Sequence, residues 1–184
     1  MRSDAERTVR AILEAAERVL SRNPAASMEQ IAEAAGVART TVHRRFASRE
    51  ALVDAMIGWA TRRFAAAVEA AHPESTPPLV ALYQVTANVL RVKIDWGFAM
   101  SRALSSDPEV AAVHSAVEER CRRLFLEAQT AGVVRADVDL EWARRVYYAL
   151  IHEAAQSQNG DADAMATRLV DTLLRGVGTE KGLG

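Results

Sequence analysis

Residues 27–52 read SMEQIAEAAGVARTTVHRRFASREAL, and this stretch decides the fold. Ser27 followed three residues later by Gln30 is a capping box, which opens a short helix carrying Ile31, Ala32 and Ala35. Gly36 ends that helix, because glycine takes the left-handed conformation that such a stop requires. A second short helix follows over about 38–45, with Val42 and Phe46 one turn apart on its inner face. Ser48 then caps a long helix. Two short helices across a glycine turn make a helix-turn-helix. Ala32 sits where the pair crosses closely, and Ile31, Val37 and Val42 fill the small shared core. Arg39, Thr40, Thr41, His43 and Arg44 remain on the outer face. Between Gly36 and Arg49 the chain holds four arginines and one histidine, and no acid. An α-helix fits the major groove of B-DNA, and arginine forms paired hydrogen bonds with guanine.

That local charge stands out because the whole chain is nearly neutral. Its 184 residues carry a formal charge of -1, with 49% hydrophobic and 26% charged residues, as in an ordinary soluble globular protein. Residues 1–64 hold 11 Arg against 8 acids (+3), and residues 65–184 hold 12 Lys+Arg against 16 acids (-4). Only Lys93 and Lys181 among the 23 basic residues are lysine. Arginine's planar fork suits phosphate and guanine better than a lysine point charge does. The single cysteine, Cys121, excludes an internal disulfide framework and predicts a reducing, cytoplasmic setting. The first residues are charged every few positions and lack the apolar core of a signal peptide. No stretch reaches the ~20 apolar residues of a membrane helix.

The rest of the chain also reads as helical. Alanine, leucine, arginine and glutamate dominate, and alternating strand patterns are missing. Ser3 and Glu6 suggest a capping box for a first helix, striped by Val9, Ile12, Leu13, Ala16, Val19 and Leu20 and ended by Asn23-Pro24. The fourth helix, from Ser48 to about Ala71, carries Leu52, Val53, Met56, Trp59, Ala60, Arg63, Phe64 and Ala67 and should be about 36 Å long. HPESTPP (72–78) breaks the chain. About five helices follow. The apolar run from Leu79 to about Ser105 breaks near Gly97. Asp107-Pro108-Glu109 starts a helix that ends before Gly132. GVVRADVD connects to a helix capped by Asp139 and running to about Gln158. After a turn at Asn159-Gly160-Asp161, the last helix spans about 162–176, and the tail GTEKGLG is expected to fray. The expected architecture is all-α with about nine helices.

With these elements in place, SMEQIAEAAGVARTTVHRRFASREAL resembles the DNA-binding segment of the tetracycline-repressor-like (TetR) family of transcriptional regulators. The match extends over about residues 5–60, and the all-helical remainder with its GVVRADVD connection also fits. The resemblance implies a helix-turn-helix DNA-binding domain over 1–47 and a helical ligand-binding and dimerisation domain over 48–184. It places Arg39, Thr40 and Thr41 at base edges and nearby phosphates, with Arg44 and Arg45 flanking the groove. Arg49 matches the family's phosphate-binding residue at the start of helix four. Ser27 brings its hydroxyl and nearby backbone N–H groups to a phosphate. His43 departs from the family's usual tyrosine, and Arg45 replaces a commoner histidine.

The same resemblance implies a ligand-responsive regulator, a repressor that binds a near-palindromic double-stranded operator as a homodimer and is released by a small hydrophobic effector. The dimer contact falls on the last two long helices. Val146, Tyr147, Leu150, Ile151 and Ala154 stripe one of them, and Met165, Leu169, Leu173 and Val177 the other, broadened by Val170 and Leu174. Of these, Ile151, Ala154, Met165, Leu169 and Leu173 are the candidate interface residues. Candidate pocket residues are Trp96, Met100, His114, Cys121, Phe125 and Tyr147, each of which also fits as plain core. No catalytic residue, metal site or cofactor is expected.

Two other readings compete with this one. A non-regulatory, chromosome-organising DNA-binding protein would share the helix-turn-helix. An all-α enzyme finds little support: Glu69-x-x-His72 has the spacing of a di-iron ligand pair but no second copy. Four scattered histidines and one cysteine give no zinc spacing, and phosphate-binding glycine loops are missing.

Overall fold

A computed structural model describes residues 2–102, 107–156 and 160–177. Among the described residues every regular element is a helix: α1 (Arg2–Arg22), α2 (Met28–Ala34), α3 (Arg39–Arg45), α4 (Arg49–Glu69), α5 (Pro78–Asp95), α6 (Gly97–Ser101), α7 (Pro108–Thr130), α8 (Leu140–Ala155) and α9 (Ala162–Val177). The all-α expectation holds. The expected turn residue Asn159 and the tail GTEKGLG lie outside the described residues.

Contacts divide the chain into two compact units, Met1–Thr61 with Trp96–Ser105, and Arg62–Asp95 with Ser106–Gly184. In the first unit α1 packs on α2 and on α6, and α2 packs on α3. Ile12, Leu13, Ala16 and Leu20 of α1 are buried with Ile31, Val42, Leu52 and Met56. α1 already runs from Arg2, one residue ahead of the expected cap Ser3, whose side chain lies outside the described residues. Glu17 breaks the apolar pattern of α1. It is only 4% exposed, and its carboxylate accepts from the backbone N–H of Phe98 (2.6 Å) and of Ala99 (3.0 Å) and from Ser21 Oγ (3.0 Å). Those two N–H groups belong to the first turn of α6, whose own N-cap, Trp96, gives no side-chain hydrogen bond. Glu17 therefore supplies the cap that α6 lacks.

The second unit is built on α5, which packs on α7, α8 and α9, while α8 also packs on α7 and α9. Pro78 occupies the first position of α5, where its missing N–H costs nothing. Leu82, Leu90, Phe125, Tyr147, Leu173 and Leu174 are fully or almost fully buried, each stabilising the bundle by roughly 1.5–3 kcal/mol relative to exposure. The Tyr147 hydroxyl lies 2.9 Å from Thr86 Oγ1, so neither buried hydroxyl lacks a partner. Tyr83 donates to Asp171, and burial together with that carboxylate pushes its phenol up to about 12.

The start and stop signals of this unit are those the sequence carries. Asp107 accepts from the N–H of Glu109 (2.8 Å) ahead of Pro108, and Asp139 accepts from the N–H of Trp142 (2.9 Å). Gly132 ends α7 at φ +75°. The connection beyond it is tied down by Gln129, whose amide donates to the carbonyls of Arg135 and Val138, both at 3.0 Å. At the other end α4 stops at Glu69, before the expected Ala71, and His72 takes a left-handed φ of +42° in the turn that follows.

Candidate nucleic-acid interface

The geometry of α2 and α3 follows from a few residues. Ser27 Oγ accepts from the N–H of Gln30 (3.3 Å), and Gln30 Oε1 accepts from the N–H of Ser27 (2.9 Å), which completes the capping box. At the far end Gly36 has φ +65°. Its N–H reaches Glu33 O (3.0 Å) and the N–H of Val37 reaches Ala32 O (3.1 Å), the paired bonds of a Schellman stop. A side chain at Gly36 would meet no steric block, so backbone strain is what glycine avoids there.

That stop aims α3. Val42 is fully buried and Phe46 nearly so, fixing the inner face. Arg39, Thr40, His43, Arg44 and Arg45 are exposed and Thr41 is half-buried. The predicted base-reading side chains therefore share one accessible face on a helix held by its opposite side. Arg44 and Arg45 make no side-chain hydrogen bond or ion pair among the described residues and stand as free cations.

Two of the arginines are engaged. Arg39 Nη2 lies 2.7 Å from Glu29 Oε1 of α2, and its Nε donates to His43 Nε2 (3.3 Å). His43, the position that departs from the family pattern, thus orients Arg39 by accepting this hydrogen bond. Arg49 donates from Nε to Ala26 O (3.4 Å) and from Nη2 to Pro24 O. It braces the connection between α1 and α2 as well as standing where the resemblance puts a phosphate contact. Sequence reasoning misses both Glu29 and the Arg49 brace, although an acid ten residues before Arg39, across the glycine turn, is a signal for the first. Ser27 is exposed at the start of α2, while Ser48 caps α4 by accepting from the N–H of Ala51 (3.1 Å).

The candidate pocket residues separate. Trp96 is buried and Met100 half-buried in the first unit. His114, Cys121, Phe125 and Tyr147 lie in the second, where Phe125 and Tyr147 pack ring against ring at 5.4 Å and Cys121 is buried beside Tyr148. Burial pushes the Cys121 thiol up and the His114 imidazole down from their ordinary ranges. The candidate interface residues Ile151, Leu169 and Leu173 are buried within the protomer's own core, and Ala154 and Met165 are half-buried. Glu69, of the pair with di-iron spacing, is engaged by Arg120 at 3.4 Å.

Residues 12–56 match the model of bacterial regulatory proteins of the tetR family, and residues 77–179 match the SbtR-like transcriptional regulator C-terminal domain. The chain belongs to the TetR family of transcriptional regulators. It is 35% identical over 176 residues to the HTH-type transcriptional repressor LfrR of Mycolicibacterium smegmatis, with 92% of each chain covered. The structure of LfrR in complex with proflavine superposes with a TM-score of 0.71 at 33% identity, covering 94% of this chain and 98% of that one. PfmR of Thermus thermophilus shares the fold, with a TM-score of 0.76 at 24% identity over 92% of this chain and 98% of its own. This TetR-family chain is a DNA-binding transcriptional regulator with an N-terminal helix-turn-helix and a C-terminal helical body. No helix among its described residues is long and apolar enough to cross a membrane.

Proposed function

We propose that this TetR-family regulator is a repressor that binds a near-palindromic operator as a homodimer and leaves it when a small, mostly apolar molecule occupies the helical body. DNA contact is assigned to residues 1–47 and effector binding and dimerisation to 48–184. The observation that carries the reading is the exposed basic face of α3, held from behind by Val42 and Phe46. Its similarity to a repressor and to a proflavine-bound regulator supports repression and a small-molecule effector.

In this reading Arg39, Thr40, Thr41, Arg44 and Arg45 meet the operator, His43 holds Arg39 in place, and Ser27 and Arg49 add phosphate contacts. Pairing uses the outer faces of α8 and α9, because Ile151, Leu169 and Leu173 already serve the protomer's core. On α8 that outer face carries Trp142 (58% exposed), Val146, Ala149 and Leu150, an apolar stripe at helical spacing.

Selecting bound sequences from random double-stranded DNA tests the proposal. The expected product is one short near-palindrome whose half-sites lie about 34–36 Å apart, as two-fold-related recognition helices require. Recovery of no enriched sequence, or of many dispersed asymmetric ones, would favour the chromosome-organising role instead.

A further inference from the structure

Within the second unit three buried polar atoms have no hydrogen-bond partner among the described residues: His114 Nε2 on α7, and Arg144 Nε and Tyr148 Oη on α8. Buried polar groups are nearly always satisfied, so a cluster of three asks for an occupant. They form one neighbourhood. Tyr148 Oη lies beside the Cys121 thiol, at best a weak partner, and Arg144 stands one turn before Tyr148, within electrostatic reach of the same thiol. His114 precedes Cys121 by two turns of α7, and its ring stacks on Phe64 (centroids 5.8 Å apart, planes at 26°). Lys93 of α5 completes the group, close enough to His114 for their charges to interact.

The donors and acceptors of this neighbourhood do not balance. Lys93 and Arg144 Nε can only donate, whereas Tyr148 Oη and the His114 imidazole can do either. Arg144 uses Nη2 on Glu141 (2.9 Å), which leaves Nε over. Lys93 makes no ion pair or hydrogen bond among the described residues, and burial pulls its ammonium down from the usual lysine range. The acid within electrostatic reach of His114, Cys121 and Tyr148 is Glu118, and its side chain is exposed. Water could satisfy a hydroxyl or a ring nitrogen here, but it would leave the half-buried ammonium without a counter-charge. Rings are plentiful: Phe64 and His114 stack, and Tyr147 and Tyr148 lie 5.8 Å apart.

We propose that the effector of this body is an aromatic compound bearing an anionic oxygen group, with the anion read by Lys93, His114 and Tyr148 and the ring held among the aromatic side chains. The proposal rests on the reading of the body as effector-binding and adds the ligand's chemical class. It sets the protein apart from LfrR, whose complex holds proflavine, a planar cation. A half-buried, unpaired ammonium favours an anion and repels a cation.

The test titrates the full chain with salicylate, naphthalene-2-carboxylate and anthraquinone-2-carboxylate, the primary amide of each, and proflavine, followed by calorimetry. At least one acid is expected to bind about tenfold or more tightly than its amide, the worth of a charge-assisted hydrogen bond. Lys93→Met should abolish that preference and Lys93→Arg should retain it. Should no acid outbind its amide in the unaltered protein, or proflavine bind more tightly than every acid, the proposal is overturned. Preference for the acid that survives in a folded Lys93→Met protein overturns it equally, and the unaltered protein decides alone if that variant does not fold. Failure of the underlying regulator reading shows separately, as absence of sequence-specific DNA binding by the ligand-free chain.

Discussion

The helix-turn-helix and the body built of α5, α7, α8 and α9 handle polar chemistry in opposite ways. In α2 and α3 the functional groups point outward, and the elements that aim them lie within a few residues in sequence: Ser27 with Gln30, Gly36, and Val42 with Phe46. In the body the polar groups of interest, His114, Arg144, Tyr148 and Lys93, come from three helices and meet only after packing. A recognition helix must display the same face to any DNA it meets, so local patterning suffices. An effector site must enclose its ligand, so its residues come from distant parts of the chain. The first kind of region should tolerate loss of outward side chains without unfolding, and the second should not tolerate loss of inward ones.

The largest effect tests the inward side of that contrast. Phe125 is fully buried with its ring 5.4 Å from Tyr147. Phe125→Ala is expected to cost about 3–5 kcal/mol, combining lost transfer energy with a cavity the bundle only partly closes. Denaturant titration followed by circular dichroism measures it. A loss under about 1 kcal/mol would mean that the body repacks freely and that the contrast fails.

Glu17 comes next, because it breaks the rule that the first unit is locally specified. Glu17→Ala leaves the N–H groups of Phe98 and Ala99 buried without an acceptor, an expected cost of about 3 kcal/mol in thermal or chemical unfolding. Glu17→Gln keeps an acceptor oxygen and should cost less. The pair also differ in pH dependence. Burial, partly offset by the hydrogen bonds from Phe98, Ala99 and Ser21, holds the Glu17 carboxyl above the ordinary glutamate range. The folded state therefore binds this proton more tightly than the unfolded state, and stability falls as pH rises from about the unfolded pKa through the folded one. Glu17→Gln should remove that slope. An unchanged slope in the variant would show that other carboxyls set it.

What is legible in the sequence follows the same division. The helix starts at Ser27, Ser48, Asp107 and Asp139, the stops at Gly36 and Gly132 and the break at HPESTPP are short-range signals, and all appear in the fold. The basic face of α3 is legible because periodicity alone separates it from Val42 and Phe46. Glu17 is not, since its partners lie 81 and 82 residues away and an acid in an amphipathic helix usually faces water. Ile151, Leu169 and Leu173 read as an interface in sequence, but apolar periodicity cannot distinguish a partner helix in the same chain from one in another. Lys93 leaves one trace, a lysine set between Val92 and Ile94 in a chain that otherwise uses arginine almost throughout, and its significance depends on what α7 and α8 bring to it.

On the outward side the effects are smaller and fall on binding. Arg39→Ala should weaken operator binding by about 1–3 kcal/mol and relax base preference at one position, with little change in folding. Arg49→Ala should weaken binding to all sequences alike, and it should also cost stability because Arg49 braces the carbonyls of Pro24 and Ala26. Salt-dependent gel shifts beside thermal melts separate the two. Equal loss of base preference in both variants would contradict the division of roles.

The smallest effect is the sharpest test of how α3 is held ready. Arg39 Nη2 is held by Glu29 at 2.7 Å, and both side chains are largely exposed, so the pair contributes little to folding and competes with the operator for the guanidinium. Glu29→Gln removes the competing carboxylate and a negative charge near the DNA backbone, and it leaves His43 as the acceptor that orients Arg39. Operator affinity should rise about two- to fivefold at low salt, with the gain fading as salt screens the charge. The same change removes an acid from the first turn of α2, where it favours the helix dipole, so the melting temperature should fall slightly. Tighter binding with slightly weaker folding is the expected signature. Affinity that stays level or falls would show that Glu29 positions Arg39 for the operator instead of holding it back.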